Sequence, residues 1–286
     1  MSPPAKRAAH AMSVAAGRVT APLRMLPGFL IVGAQRCGTT SMYRALSAHP
    51  GVRKAVLHKG VHYFDMNYDR CIGWYRAHFP LAGRRELLTF ESSPYYLFHP
   101  LAAERIAANL PAVKLIVLVR DPVERAYSAY AHELARGFET ESFERAIELE
   151  AERLNGEAER IVAEPGYLSH SHQHHGYRAR GEYAEQLGRL ERLFGRDRIH
   201  VVDSGDFFAE PEPVYDAVLD FLGLARCAGP AGPAGPAGPG YPAFERHNAR
   251  PRSPIPEALR AKLDEHFIPF DKLLIPWLDA IPSWRR

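Results

Sequence analysis

The chain has 286 residues, 46% hydrophobic and 24% charged, a globular balance that excludes disorder and fibrous classes for its bulk. Thirty-six Lys+Arg against 33 Asp+Glu leave a net charge of +3, too mild for a nucleic-acid binder with a concentrated basic face. Three widely spaced cysteines, Cys37, Cys71 and Cys227, make neither a disulfide framework nor a zinc site and suit a reducing compartment.

No apolar run approaches the ~18 residues of a membrane span, so no integral membrane segment is expected. Residues 1–24 are Ala-rich and basic without the apolar core of a secretion signal. They read as a disordered arm, residues 25–286 as one domain, and the location as cytoplasmic.

Phe29-Leu30-Ile31-Val32, ended by Gly33, has the continuous apolar character of a strand buried on both faces. A Gly-containing turn leads into a helix over Ser41–Ala48, stopped by His49-Pro50. Val52–Val56 and Leu87–Phe90 read as further strands, Lys114–Arg120 as the strongest one, and Arg198–Asp203 as the last. Helical patterns fall between them over Pro100–Asn109, Pro122–Arg136, Ser142–Asn155, Tyr183–Phe194 and Glu212–Leu222. Buried strands alternating with helices predict an α/β fold of the P-loop type, a parallel sheet flanked by helices on both faces. Ligands of such sheets bind at the carboxyl ends of the strands, which directs attention to the loops after Val32 and Val119. Residues 228–240 repeat Ala-Gly-Pro and read as a flexible surface insertion inside the domain.

Two segments can carry chemistry. Gly33-Ala34-Gln35-Arg36-Cys37-Gly38-Thr39-Thr40-Ser41 lies between a buried strand and a helix, where amides and the helix dipole converge on an anion. Thr39 stands where GxxxxGK[ST] demands Lys, which argues against ATP or GTP hydrolysis. Arg120-Asp121-Pro122 ends the strongest strand, with Ser128 about two turns into the next helix. Arg120 and Ser128 can meet one anion there; an Arg120–Asp121 pair capping the helix is the alternative.

Together these segments resemble the sulfotransferases that use 3′-phosphoadenosine 5′-phosphosulfate (PAPS), in the branch of the heparan sulfate enzymes and their bacterial relatives. The resemblance extends through Val61-His62-Tyr63-Phe64-Asp65, Gly73-Trp74-Tyr75, Glu91-Ser92-Ser93-Pro94-Tyr95-Tyr96-Leu97, Arg180-Gly181-Glu182-Tyr183 and His247-Asn248-Ala249-Arg250. It implies a phosphosulfate grip at Arg36, Cys37, Gly38, Thr39, Thr40 and Ser41, and a 3′-phosphate grip at Arg120 and Ser128. It also implies closure over the nucleotide by Asn248 and Arg250. PAPS would be the sulfate donor, with no metal required.

The chain departs from that family at two places. Many relatives have Lys at the position of Arg36, and an arginine stays charged, so Arg36 is expected to clamp charge on the leaving phosphate without giving up a proton. Heparan-type enzymes often place a Glu base where this chain has Gly60. His62 is the best substitute, because an imidazole suits proton removal at neutral pH, and Glu91 is the second candidate. His170–His175 is expected in a solvated or substrate-facing loop, and Trp74, Tyr75, Tyr95 and Tyr96 either line an acceptor cleft or belong to the core. The acceptor is expected to be a small molecule, lipid or carbohydrate. A non-catalytic nucleotide-binding protein and a P-loop kinase or NTPase are the competing readings.

Overall fold

The computed structural model describes residues 17–56, 58–83, 87–227, 240–245, 247 and 254–286. Residues 228–239 of the Ala-Gly-Pro repeat, together with Asn248 and Arg250, lie outside the described residues.

Five strands form one parallel sheet: β1 (Phe29–Gly33), β2 (Val52–Lys54), β3 (Leu88–Ser92), β4 (Lys114–Val119) and β5 (Ile199–Asp203), in the order β2-β3-β1-β4-β5. Every residue of β1 is buried, as are five of the six in β4, so both faces of the central sheet are covered. Parallel strands need crossover connections, and the sequence supplies them as amphipathic helices. These are α1 (Thr39–Ala48), α2 (Ala102–Asn109), α3 (Pro122–Leu134), α4 (Phe143–Leu154) and α5 (Tyr183–Phe194), while α6 (Pro211–Leu222) follows the last strand. Asp121 caps α3, accepting from the amides of Val123 (2.9 Å) and Glu124 (3.2 Å), with Pro122 in the first turn.

Strand pairing sets the site. Leu30 of β1 lies opposite Glu91 of β3 on one side and Leu115 of β4 on the other. The carboxyl ends of β1, β3 and β4 therefore open at one edge, where the connections to α1, α2 and α3 begin. Phe29 stacks on Phe90 with ring centroids 4.6 Å apart, filling the sheet face below that edge.

Residues 17–24 depart from the expected disordered arm. Ala21–Leu23 form a 3-10 turn with Ala21 buried, and the Arg24 guanidinium donates to the Phe79 carbonyl at 2.6 Å. A helix absent from the expected elements, α7 (Glu257–Lys272), buries Leu259, Leu263 and Phe267 in a second core shared with α3 and α4. Among the described residues no helix is long and apolar enough to cross a membrane.

Candidate functional site

The loop between β1 and α1 is held open by backbone conformations few side chains favour. Arg36 (φ 70°) and Gly38 (φ 84°) both occupy the left-handed region, natural for glycine and costly for arginine. Gly38 is the N-cap of α1 and carries no side chain to satisfy the first-turn amides. An N-terminus without a side-chain cap offers N–H donors and the positive end of the dipole to an outside anion. Cys37 turns inward, fully buried with its sulfur 3.5 Å from the Tyr183 hydroxyl, and the Ser204 hydroxyl donates to its carbonyl.

An open cavity of about 640 Å³ lies over this N-terminus. Its lining brings together Arg36, Cys37, Gly38, Thr39 and Thr40 from the first motif with Arg120 and Ser128 from the second. The two motifs touch directly, because Arg36 Nε donates to Ser128 Oγ at 3.0 Å. The guanidinium of Arg120 reaches the Arg36 carbonyl at 3.5 Å and pairs with Glu124 at 3.5 Å. Asp121 meanwhile caps the helix with its carboxylate, which accepts the Val123 and Glu124 amides, so the Arg120–Asp121 pair is not what closes α3. Ser41 does not line the cavity; its hydroxyl accepts the His247 amide at 3.3 Å, which ties the segment before Asn248 to α1. Phe208, Ser283 and Trp284 form another part of the wall. The last two are carried there by the chain's C-terminal turn, which Asp203 and Asp271 anchor.

Among the cavity residues that sequence reasoning did not single out, one carries a charge close to α1. Lys59 donates to the hydroxyls of Thr39 (3.1 Å) and Thr40 (2.9 Å) at the start of α1. Burial, aided by the charge of Arg36, pulls its ammonium down to about 8. Its only signal in the sequence was its place directly before Gly60.

His62 stands three residues beyond Lys59, just outside the cavity lining, in a left-handed conformation (φ 53°) before the short helix Tyr63–Met66. Its Nδ1 bonds the buried carboxylate of Asp65 at 2.8 Å. An ionised carboxylate only accepts, so Nδ1 carries the proton and Nε2 of the neutral ring keeps its lone pair. Burial pulls the imidazolium pKa down, but the Asp65 hydrogen bond and charge outweigh it and raise the pKa above the ordinary histidine value. Asp65, one helical turn after His62, is the partner that the spacing could have suggested.

Glu91, the second candidate base, lies buried at the end of β3 among hydrogen-bond donors. It has no solvent exposure, and both oxygens are occupied. Oε2 accepts from the Val61 amide (2.7 Å) and the Ser93 hydroxyl (2.6 Å), and Oε1 from the Tyr96 (2.7 Å) and Tyr75 (3.1 Å) hydroxyls. Four donors fill the lone pairs of a carboxylate, which leaves none to take a substrate proton. Burial nevertheless raises its pKa, the hydrogen bonds only partly offsetting the lost hydration.

The aromatic residues take the core alternative, whereas the histidine cluster differs from expectation. Tyr75 and Tyr96 are core residues, and Tyr95 is buried with its hydroxyl 2.8 Å from His172 Nδ1, so none of the three forms an open cleft. His170–His174 is a helical turn capped by Ser169, not a solvated loop. His172 stacks on Phe98 at 4.3 Å, and burial, with the charge of Arg180, depresses its pKa to about 3. His174 bonds the buried Glu133 at 3.0 Å, and His175 bonds the Phe138 carbonyl. Tertiary packing decided these positions, and their local sequence gave no hint of it.

Gly60 is fixed by close approach. A Cβ there would lie 2.6 Å from the Ser92 carbonyl oxygen and 2.8 Å from Ser93 Oγ, and 3.3 Å from His62 Nε2.

The sulfotransferase domain family matches residues 26–229. Human heparan sulfate glucosamine 3-O-sulfotransferase 6 is 32% identical over 263 residues, 87% of this chain and 71% of that protein. Human heparan sulfate glucosamine 3-O-sulfotransferase 5 is 30% identical over 204 residues, 71% of this chain and 55% of that protein. The crystal structure of a sulfotransferase from Alicyclobacillus acidocaldarius superposes with a TM-score of 0.68 at 28% identity, covering 92% of this chain and 100% of its own.

Two consequences follow for stability. Glu91→Gln presents an amide that cannot accept from all four donors, and is expected to cost about 1–3 kcal/mol in urea unfolding. A Glu91→Gln protein of unchanged stability would make Glu91 dispensable as an anchor. Gly60→Ala forces the backbone off β3 and is expected to cost about 1–3 kcal/mol, read in the same titration.

Proposed function

We propose, on the premise that this chain belongs to the sulfotransferase domain family, that it moves a sulfuryl group from PAPS to a hydroxyl of a carbohydrate acceptor. The observation that carries the donor reading is the joining of both phosphate motifs in one cavity, through Arg36 and Ser128 above the uncapped end of α1. Three side-chain cations, Arg36, Lys59 and Arg120, face that space, and it has room for a nucleotide. Such a donor set fits a doubly phosphorylated adenosine better than a triphosphate with its metal, since Thr39 occupies the place of the P-loop lysine. The carbohydrate class rests on the relatives named as glucosamine 3-O-sulfotransferases.

PAPS, when bound, supplies an activated sulfuryl group on a phosphate leaving group. The first-turn amides of α1 and the hydroxyls of Thr39 and Thr40 hold the 5′-phosphate. Arg120 and Ser128 hold the 3′-phosphate, and Arg36 joins the two sites electrostatically. His62 Nε2 accepts the acceptor hydroxyl proton, and Asp65 keeps the ring in the required tautomer and stabilises the imidazolium that results. Glu91 takes no proton; it fixes the segment on which His62 stands. Placement and charge stabilisation supply most of the rate, as in phosphoryl transfer.

Adenosine 3′,5′-bisphosphate (PAP) is expected to raise the melting temperature of the protein while ATP with Mg²⁺ leaves it unchanged. Labelled PAPS is expected to transfer sulfate to glucosamine-containing oligosaccharides. Stabilisation by ATP alone would favour a kinase or NTPase, and PAP binding without transfer to any acceptor would favour a non-catalytic role.

His62→Ala is expected to lower turnover by about 10²–10⁴-fold while PAP binding persists. The base must be neutral, so turnover falls as pH drops through the raised His62 pKa. Asp65→Asn removes the influence that raises it, so the acid limb of the pH–rate profile is expected to move to lower pH with a reduced maximum. An acid limb unmoved in Asp65→Asn would assign proton transfer to another group.

A further inference from the structure

We propose that Lys59 is the cation of the leaving phosphate, standing between the N-terminus of α1 and His62 and supplying the charge that Arg36, turned toward Ser128, directs elsewhere. This assignment rests on the donor reading above and adds to it a residue that neither phosphate motif contains.

The three cavity cations are committed to different places. Arg36 Nε bonds Ser128, and Arg120 reaches the Arg36 carbonyl and Glu124, so both stand on the α3 side. Lys59 comes in from the opposite side, on the segment leading from β2 to the short helix Tyr63–Met66. Its Nζ lies on the two threonine hydroxyls that open α1. Oxygens that hold an ammonium in this way mark a position next to the first-turn amides, where a phosphate oxygen would exchange with or join them.

The backbone makes this placement rigid. The Ser92 amide donates to the Lys59 carbonyl at 2.8 Å, and the Val61 amide donates to Glu91 at 2.7 Å. Gly60 between them approaches the end of β3 too closely for a side chain. Lys59 is thus gripped one residue before a glycine and three residues before His62. One short segment then carries both the base on the attacking side and the cation on the leaving side.

The electrostatics agree with the geometry. Burial and the neighbouring Arg36 charge disfavour the Lys59 ammonium, and His62 feels the Lys59 charge in turn. A phosphate arriving at the α1 N-terminus reverses that balance, since an anion beside a desolvated ammonium favours its charged form. A preorganised cation in a dry site gains most where negative charge grows during the reaction.

In the transfer step the acceptor oxygen forms its bond to sulfur as the bond between sulfur and the bridging oxygen breaks. The electron pair of the broken bond stays on the bridging oxygen, which becomes a terminal oxygen of the 5′-phosphate. The hydroxyl proton goes to His62 Nε2. Lys59 keeps its protons and gives one hydrogen bond to the phosphate oxygen on which charge accumulates.

A group acting on the leaving phosphate must favour product over donor, because the 5′-phosphate of PAP carries more negative charge than that of PAPS. Calorimetric titration of the full chain with PAP and with PAPS, without acceptor, reads this preference directly. Lys59→Ala is expected to weaken PAP by ~10–100-fold, the loss of a charged hydrogen bond, and PAPS by less than ~3-fold. Lys59→Arg, which keeps the charge, is expected to retain the preference for PAP, and Lys59→Gln carries the same test as Lys59→Ala should the alanine variant prove unfolded. Equal weakening of both nucleotides, or of neither, overturns the assignment while leaving the donor reading in place. A wild-type chain that binds neither nucleotide overturns the donor reading, and this assignment with it.

Discussion

A single buried carboxylate organises the acceptor side of the site. Glu91 accepts the Val61 amide directly; it also receives the Ser93 hydroxyl, which in turn accepts the His62 amide at 3.1 Å. The Tyr96 hydroxyl donates to Glu91 and accepts the Tyr63 amide at 2.8 Å and the Phe64 amide at 3.4 Å. Four successive amides, 61 to 64, therefore find their acceptors through one side chain at the end of β3. Taking a carboxylate out of water costs several kcal/mol, and only a complete set of donors makes that tolerable. The left-handed conformation of His62 and the start of the helix that carries Asp65 both depend on this hub. In the proposed mechanism Glu91 contributes position, not proton transfer.

Opposite this hub, the proposed phosphate side is organised by positive charge, and the loop from Gly33 to Ser41 contains no acidic residue. α1 begins at a glycine with no capping side chain, and none of its first-turn residues is acidic. A helix that begins at glycine is less stable than one capped by Ser or Asp, by roughly a few tenths of a kcal/mol. The cations around it add mutual repulsion, visible in the effect of Arg36 on Lys59. Such an arrangement is unfavourable in an empty cavity and becomes favourable once an anion fills it. The proposed donor would thus repay, on binding, a cost carried by the folded protein.

The legible parts of this chain were those set by local pattern. The apolar runs Phe29–Val32 and Leu115–Val119 are short, rich in Ile and Val, and so read as strands buried on both faces, and Pro122 after Asp121 announces a helix start. The placement of both proposed phosphate motifs could be read because it depends on where strands end and helices begin. What stayed hidden depends on contacts across long sequence separations. Glu91 sits in a segment whose sequence does not distinguish a base from an anchor; its four donors come from residues 61, 75, 93 and 96. His170–His175 looks polar in one dimension, yet Phe98, Tyr95, Phe138 and Glu133 receive its rings. α7 went unrecognised although its buried Leu259, Leu263 and Phe267 recur at helical spacing; Pro269 inside it is an ordinary signal against a helix.

The missing carboxylate at position 60 takes on a different meaning once the backbone is seen. An acidic residue could not simply be restored there. The backbone leaves no space for such a side chain, because a Cβ would lie within 2.6 Å of the Ser92 oxygen. The same closeness lets Lys59 be pinned by the Ser92 amide and leaves His62 Nε2 facing the bare α-carbon. The glycine and the Asp65-bound imidazole are consequently parts of one arrangement, in which a residue without a side chain makes room for the nitrogen proposed to take the proton. Reinstating an acidic residue at 60 would not add a second base to this site; it would dislodge the segment on which both Lys59 and His62 are carried.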